Sequence, residues 1–111
     1  MSVPVRVVTP ARRDLIQITI YLAERDPRVA ARFRRAVQAG LDRLAHNPDS
    51  GSLWPTNDER LRGLRVSAIP GFRRHLLFHR HTNGEVVVVR LLHASQDAAE
   101  IFSREEEPDV E

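Results

Sequence analysis

No cysteine occurs in the 111 residues, which excludes disulfides, thiolate nucleophiles and cysteine-ligated zinc. Lysine is missing as well: all 17 basic residues are arginine. No apolar run is long enough to cross a bilayer. The opening "MSVPVRVVTP" lacks a cationic head followed by an apolar core, so no secretory signal is expected. A cytoplasmic protein without membrane contact fits these absences best. A phosphate-cradling loop is also missing, because "GLRVSAIPG" has neither the lysine nor the serine or threonine such loops use. Ser67, Ser95 and Ser103 stand outside any strand–turn–helix glycine setting, so no nucleophile elbow is present.

What is there suits one small domain with a single core: 41% of residues are hydrophobic and 29% charged. The formal charge of +2 is unevenly spread. Residues 104–111 ("REEEPDVE") hold one arginine and five acids, while residues 1–103 hold 16 arginines against 10 acids, about +6. The expectation is a domain over 1–103 and a disordered acidic tail over 104–111. Arginine's fork suits phosphate and carboxylate better than lysine's point charge. Codon usage in a GC-rich genome is nevertheless the simpler account of a chain without lysine.

Val3–Val8 is β-branched and bounded by prolines, and reads as a short strand near a sheet edge. Thr9-Pro10 has the form of a helix start, with Thr9 as cap. In the segment that follows, Ala11, Leu15, Ile18 and Leu22 make a helical stripe, yet Ile16, Ile18 and Ile20 alternate as in a strand. The cap and the length favour helix. Asp26-Pro27 repeats the start signal, and Val29, Phe33, Ala36, Val37, Gly40, Leu41 and Leu44 then line one helical face. Gly40 is expected where this helix approaches the first. Two helices joined by a short turn form an αα-hairpin. After a polar loop over 47–60, three strand-like runs follow, separated by Pro70-Gly71 and by Asn83-Gly84, the latter a strong hairpin signal. Ser95 is placed as the cap of a short final helix. The fold class is therefore α+β: a short N-terminal strand and an antiparallel αα-hairpin packed on an antiparallel sheet of three to four strands, with a short C-terminal helix.

Alternation across the middle strand puts Phe72, Leu76 and Phe78 on one face, expected beneath the helices, and Arg73, His75, Leu77, His79 and His81 on the other. Arg65, Arg73, His75 and Arg90 would then share one basic face, if the register allows. Such a face suits phosphates, an acidic protein partner, RNA cleavage with histidine as proton carrier, or plain solvation. A metal site built on His75, His79 and His81 is disfavoured, since residues four apart on a strand lie roughly 13 Å apart and no carboxylate accompanies them. Neither a metal nor a cofactor is expected.

The ordered set "ARRDLIQITIYLAERDP", "LRGLRVSAIPGFRRHLLFHR" and "VVVVRLLHASQD" resembles the RelE/ParE superfamily of type II toxins, over roughly residues 3–102. The resemblance implies an αα-hairpin on an antiparallel sheet, and a small bacterial cytoplasmic toxin that inhibits growth and is neutralised by a cognate antitoxin carrying a DNA-binding domain. RelE-like members cut messenger RNA on the ribosome, using basic sheet residues and a C-terminal arginine and tyrosine. Arg73 matches their strand arginine, and Arg62 and Arg65 stand where they often carry lysines. After His93, however, "HASQDAAEIF" offers neither an arginine nor a tyrosine, only Ser95, Gln96 and Phe102. ParE-like members inhibit DNA gyrase by binding, and "LLHASQD" is closer to their ending. The resemblance thus implies a ParE-like gyrase inhibitor, with Arg62, Arg65, Arg73, His75 and Arg90 meeting the target. The alternative is a ribosome-dependent endoribonuclease using Arg65, Arg73 and His75. Leu53, Trp54 and Phe102 are the residues expected to receive the antitoxin, although Trp54 beside Pro55 equally suits packing of the loop onto the core.

Overall fold

In the computed structural model, described over residues 1–105, two helices form a hairpin over a five-stranded sheet. Strand β1 is Val5–Val7 and helix α1 is Thr9–Arg25. The cap of α1 is Val8, not Thr9. The Val8 amide donates to the Val88 carbonyl at 3.1 Å, and its own carbonyl accepts from the Arg12 amide at 3.0 Å. One residue thus closes both the strand ladder and the first helical turn, so Thr9 is already helical. The ambiguous isoleucines resolve as helix: Leu15, Ile18 and Leu22 pack on the core, while Ile16 and Ile20 are more than half exposed.

Helix α2, Pro27–His46, starts after a single linking residue. Asp26 ends one helix by donating its amide to the Leu22 carbonyl at 2.8 Å. It opens the next by accepting from the Arg28 amide at 2.9 Å. The Arg28 side chain holds the Asp26 carboxyl below its ordinary range. Ala30, Phe33, Val37, Gly40 and Leu44 are buried. Gly40 faces the sheet rather than α1: a Cβ there would lie 3.4 Å from Leu77 and 3.5 Å from Pro70.

Strands β2 (Ser52–Leu53), β3 (Arg65–Ile69), β4 (Phe72–Thr82) and β5 (Glu85–His93) complete the sheet in the order β1-β5-β4-β3-β2. β1 joins β5 in parallel and the remaining pairs are antiparallel, so the sheet is mixed and its two edges are the two shortest strands. A short 3-10 turn, Glu59–Leu61, precedes β3. Asn83 and Gly84 both have positive φ, 53° and 76°, as a tight two-residue hairpin turn requires. Helix α3, Ala98–Arg104, is capped by Asp97, whose carboxylate accepts from the Glu100 amide at 3.1 Å. Ser95 bonds to His93 instead. The helix runs one residue into the stretch expected as tail, and the disorder expected of 106–111 lies outside the described residues.

The sheet is covered on both faces. Towards the helices lie Phe33, Val37 and Leu44 with Ile69, Leu77, Val86, Val88 and Leu91. On the other side Leu64, Phe78 and Leu92 meet Ala98 and Phe102 of α3, with Trp54 and Leu76 beside them. Phe72, Leu76 and Phe78 therefore do not share a face under the hairpin. Between Ala68 and Ile69 the β3–β4 register shifts, so that Ile69 opposes Phe72 while Ala68 opposes Leu76. Phe72 consequently meets Phe33 edge to face at 5.2 Å, on the helix side. The face read as basic and free, with His75, Leu77 and His79, is the one the helices cover.

Candidate functional site

The residues expected to form one basic face fall into three environments. Arg65 opposes His79 on the helix side and donates from Nη1 to the Gly51 carbonyl at 3.0 Å. Arg90 opposes Phe78 on the α3 side. The two do not come together. Arg62 is exposed and pairs with Glu59 at 2.8 Å. Arg73 and its neighbour Arg74 are exposed at the start of β4.

Arg90 is committed to the fold. The β4–β5 register shifts between Phe78 and His79, which oppose Arg90 and Val88, leaving Val89 as an extra residue. β1 pairs with β5 only along Val86–Val88, so beyond that point the β5 edge is uncovered. Asp14 of α1, buried at 9% exposure, fills the gap. Its carboxylate accepts from Arg90 Nε at 2.7 Å, from Arg90 Nη2 at 2.8 Å and from the Leu91 amide at 2.9 Å. Glu105, just past α3, accepts from Arg90 Nη1. One guanidinium thus ties α1, β5 and the end of α3 together. The Asp14 hydrogen bonds push the Arg90 pKa further up.

Of the histidines, His79 is fully buried, with Nε2 at 2.8 Å from Ser67 Oγ and Nδ1 without a partner. Burial, then the nearby Arg65 charge, lowers its pKa to about 4, so the ring is neutral. His81 sits 3.1 Å from Asp49. His75 lies edge-on to Phe33 at 5.0 Å and to His93 at 5.0 Å. Burial, then His93, holds His75 below the ordinary imidazole range. Among the described residues no three His, Asp or Glu side chains are placed to hold a metal ion.

The chemistry left accessible gathers at the far end of the sheet. His75 opposes His93 across the β4–β5 pair, and the Ala94 amide donates to the Arg74 carbonyl at 2.6 Å. Exposed Arg73 and Arg74 directly precede His75 in β4, and the Arg74 backbone meets the residue that follows His93. The Ser95 amide donates to His93 Nδ1 at 3.0 Å, which makes that nitrogen an acceptor. A neutral His93 accordingly carries its proton on Nε2. This end of the sheet thus carries two exposed arginines and a ring N–H, residue types that suit an anionic partner.

Of the residues expected to receive an antitoxin, Leu53 is 61% exposed on the edge strand β2. Trp54 is half-buried, edge-on to Phe78 at 5.2 Å, so it does pack its loop onto the core. Phe102 is buried at 6% exposure, 5.3 Å from the Phe78 ring, and is not an accessible anchor. The apolar spacing of α3 turns it inward. The residue that sequence reasoning missed is Asp14. Its signal was available: a lone carboxylate beside Leu15, within the apolar stripe of Ala11, Leu15 and Ile18.

Residues 5–98 match the family described as ParE toxin of the type II toxin–antitoxin system parDE. The chain is 34% identical over 94 residues to Toxin RelE1 of Caulobacter vibrioides, covering 84% of this chain and 95% of that protein. In fold it resembles a chain of the chromosomal ParDE system of P. aeruginosa, with a TM-score of 0.66 at 16% identity over 83% of this chain and 96% of that one. It also resembles a chain of the RelBE2 toxin–antitoxin complex of Mycobacterium tuberculosis, with a TM-score of 0.60 at 23% identity, covering 86% and 95%. The mixed sheet, the helical hairpin and a family match spanning most of the chain lead to one assignment: the protein belongs to the ParE toxin family, within the RelE/ParE superfamily of type II toxin–antitoxin toxins.

Proposed function

We propose that this toxin acts by binding, in the manner of ParE-like members, with DNA gyrase as its target and the Arg73–Arg74–His93 rim as its working surface. One observation carries the reading. Of the three residues expected for a nuclease, Arg65 gives one N–H to the Gly51 carbonyl and His75 is wedged between Phe33 and His93. Only Arg73 stands free in solvent, which suits a gripping contact better than a proton relay. Purified toxin is expected to block gyrase supercoiling in vitro and to leave ribosome-bound messenger RNA intact. Arg73→Ala should weaken that inhibition at least tenfold and change stability by less than about 0.5 kcal/mol, as for an exposed side chain without partners. Site-specific cleavage in a translating extract, abolished by Arg73→Ala, would instead establish the ribosome-dependent endoribonuclease. The name of the relative, RelE1, is what keeps that second reading in view.

The cognate antitoxin is proposed to cover the hollow at the β2 edge, about 310 Å³, lined by Leu53, Trp54 and Arg62 among others. A two-residue edge strand with an exposed leucine leaves backbone and apolar surface open to an added segment. Leu53→Asp should lower antitoxin affinity in calorimetric titration without lowering the melting temperature. Unchanged affinity would place the antitoxin elsewhere.

A further inference from the structure

The outer face of α2 has no part in either surface above, and its chemistry is one-sided. Arg28, Arg32, Arg35 and Arg43 fall within about a quarter of the helix circumference, opposite Phe33, Val37 and Leu44, and span about 22 Å of axis. Asp42 is the one carboxylate in α2, and it accepts from Gln38 Nε2 at 3.0 Å. Arg28 pairs with Asp26, which also attracts Arg32 through space. Among the described residues no carboxylate reaches Arg35 or Arg43. Like charges at i,i+3 and i,i+4, as in Arg28/Arg32 and Arg32/Arg35, weaken a helix. A face kept merely soluble would interleave acids. Codon usage explains arginine in place of lysine, but not the clustering.

We propose that this arginine row binds the phosphate backbone of duplex DNA. Single-strand binders need aromatic platforms among their cations. Here Phe33, the one phenyl ring of α2, is fully buried, and the His46 Nδ1 lies 2.9 Å from the Asp42 carbonyl. A protein partner would call for an apolar or aromatic anchor at the centre of the contact; Ala39 stands at the centre of the row, and the apolar groove of Leu15, Ala31 and Leu41 reaches it only at Arg35. A bare line of forks fits the duplex, which presents one charge per roughly 1.7 Å of axis. The inference does not depend on the target proposed above, because it is read with DNA alone.

The test is fluorescence anisotropy of the full chain with a labelled duplex of about 20 bp and arbitrary sequence, titrated from about 50 to 200 mM salt. The expected slope of log affinity against log salt is about −3, falling in magnitude by about 2 in Arg35→Gln/Arg43→Gln, at roughly 0.9 for each phosphate no longer neutralised. Arg35→Lys/Arg43→Lys should keep the slope. A charge-matched control, Arg6→Gln/Arg104→Gln, removes two arginines that already pair with Glu85 and Glu100, and should leave it unchanged. Circular dichroism checks that each variant is folded. No binding at the low-salt end, or an equal loss in the control, overturns the proposal. Tighter binding of duplex RNA or of an oligoglutamate peptide through the same arginines overturns it as well.

Discussion

Asp14→Ala should be among the most damaging single substitutions in the domain, although it touches no part of the accessible rim. The carboxylate is buried and accepts three hydrogen bonds, two from Arg90 and one from the Leu91 amide. Removing one member of a buried ion pair costs about 3–5 kcal/mol, mostly from the charge left behind. Two features pull the figure down: Glu105 stays on Arg90, and alanine gains roughly 0.5 kcal/mol of helix propensity over aspartate. One pushes it up, because the Leu91 amide loses its acceptor at about 1–3 kcal/mol. The net expectation is about 3–4 kcal/mol. With a urea m-value near 1.5 kcal/mol/M, the unfolding midpoint should fall by about 2 M at unchanged slope. The amide also separates this site from an ordinary ion pair. Replacing both charges by apolar residues is often neutral elsewhere, but Asp14→Leu/Arg90→Leu still orphans Leu91 and should remain about 1–3 kcal/mol below the parent. A loss under about 1 kcal/mol in Asp14→Ala, or a double variant as stable as the parent, would refute the reasoning.

Three further outcomes follow from the same packing. His79 binds its proton near pH 4 in the folded chain against about 6.5 when unfolded, so stability is full above about 6.5 and drops by about 3 kcal/mol as pH falls to about 4. His79→Phe should remove most of that slope in urea melts taken across the range, and an unchanged slope would locate the titration elsewhere. Gly51→Ala should cost about 2–4 kcal/mol, since φ is +87° and the new Cβ would lie 2.6 Å from the Val66 carbonyl oxygen, whereas Gly84→Ala meets open space and should cost about 1 kcal/mol. Equal losses at the two glycines would discount the clash. Phe102→Ala should cost about 3 kcal/mol by emptying the pocket between Phe78 and Leu64, and chemical denaturation showing under 1 kcal/mol would mean that α3 is not docked as described.

The parts of the fold legible in the sequence are those written locally. Asp26-Pro27 and the apolar spacing from Val29 to Leu44 specify α2 without help from the rest of the chain, and Asn83-Gly84 specifies its hairpin. The parallel pairing of β1 with β5 is not local: Val5 and Val86 meet across 80 intervening residues, and nothing in either segment names its partner. Register was the second loss. One shift between Ala68 and Ile69 and another near Val89 move Phe72 and Arg90 off the faces that strict alternation assigns them. The candidate site suffered most, because the environments of Arg65, His75 and Arg90 are set by partners distant in sequence. Asp14 lies 76 residues from Arg90, and Gly51 lies 14 from Arg65.

That dependence also decides where function can sit. A sheet of this size usually offers one face to a core and leaves the other to solvent, and on that premise the histidine-bearing face of β4 looks like the working surface. Here the helical hairpin takes one face, and α3 with the Trp54 loop takes the other. Interior cations and imidazoles are therefore held largely by the protein itself: Arg90 by two carboxylates, Arg65 through one bond to a carbonyl, and His79 through one bond to a serine with its Nδ1 left unpartnered. Charge free to act is pushed to the perimeter, to Arg73 and Arg74 where β4 begins and to the outer row of α2. A covered sheet makes a stiff frame, which fixes the backbone that carries the rim arginines and leaves only their side chains to be ordered on binding. The same covering that removes His79 from the chemistry leaves Arg73 and Arg74 exposed on a backbone held by the sheet.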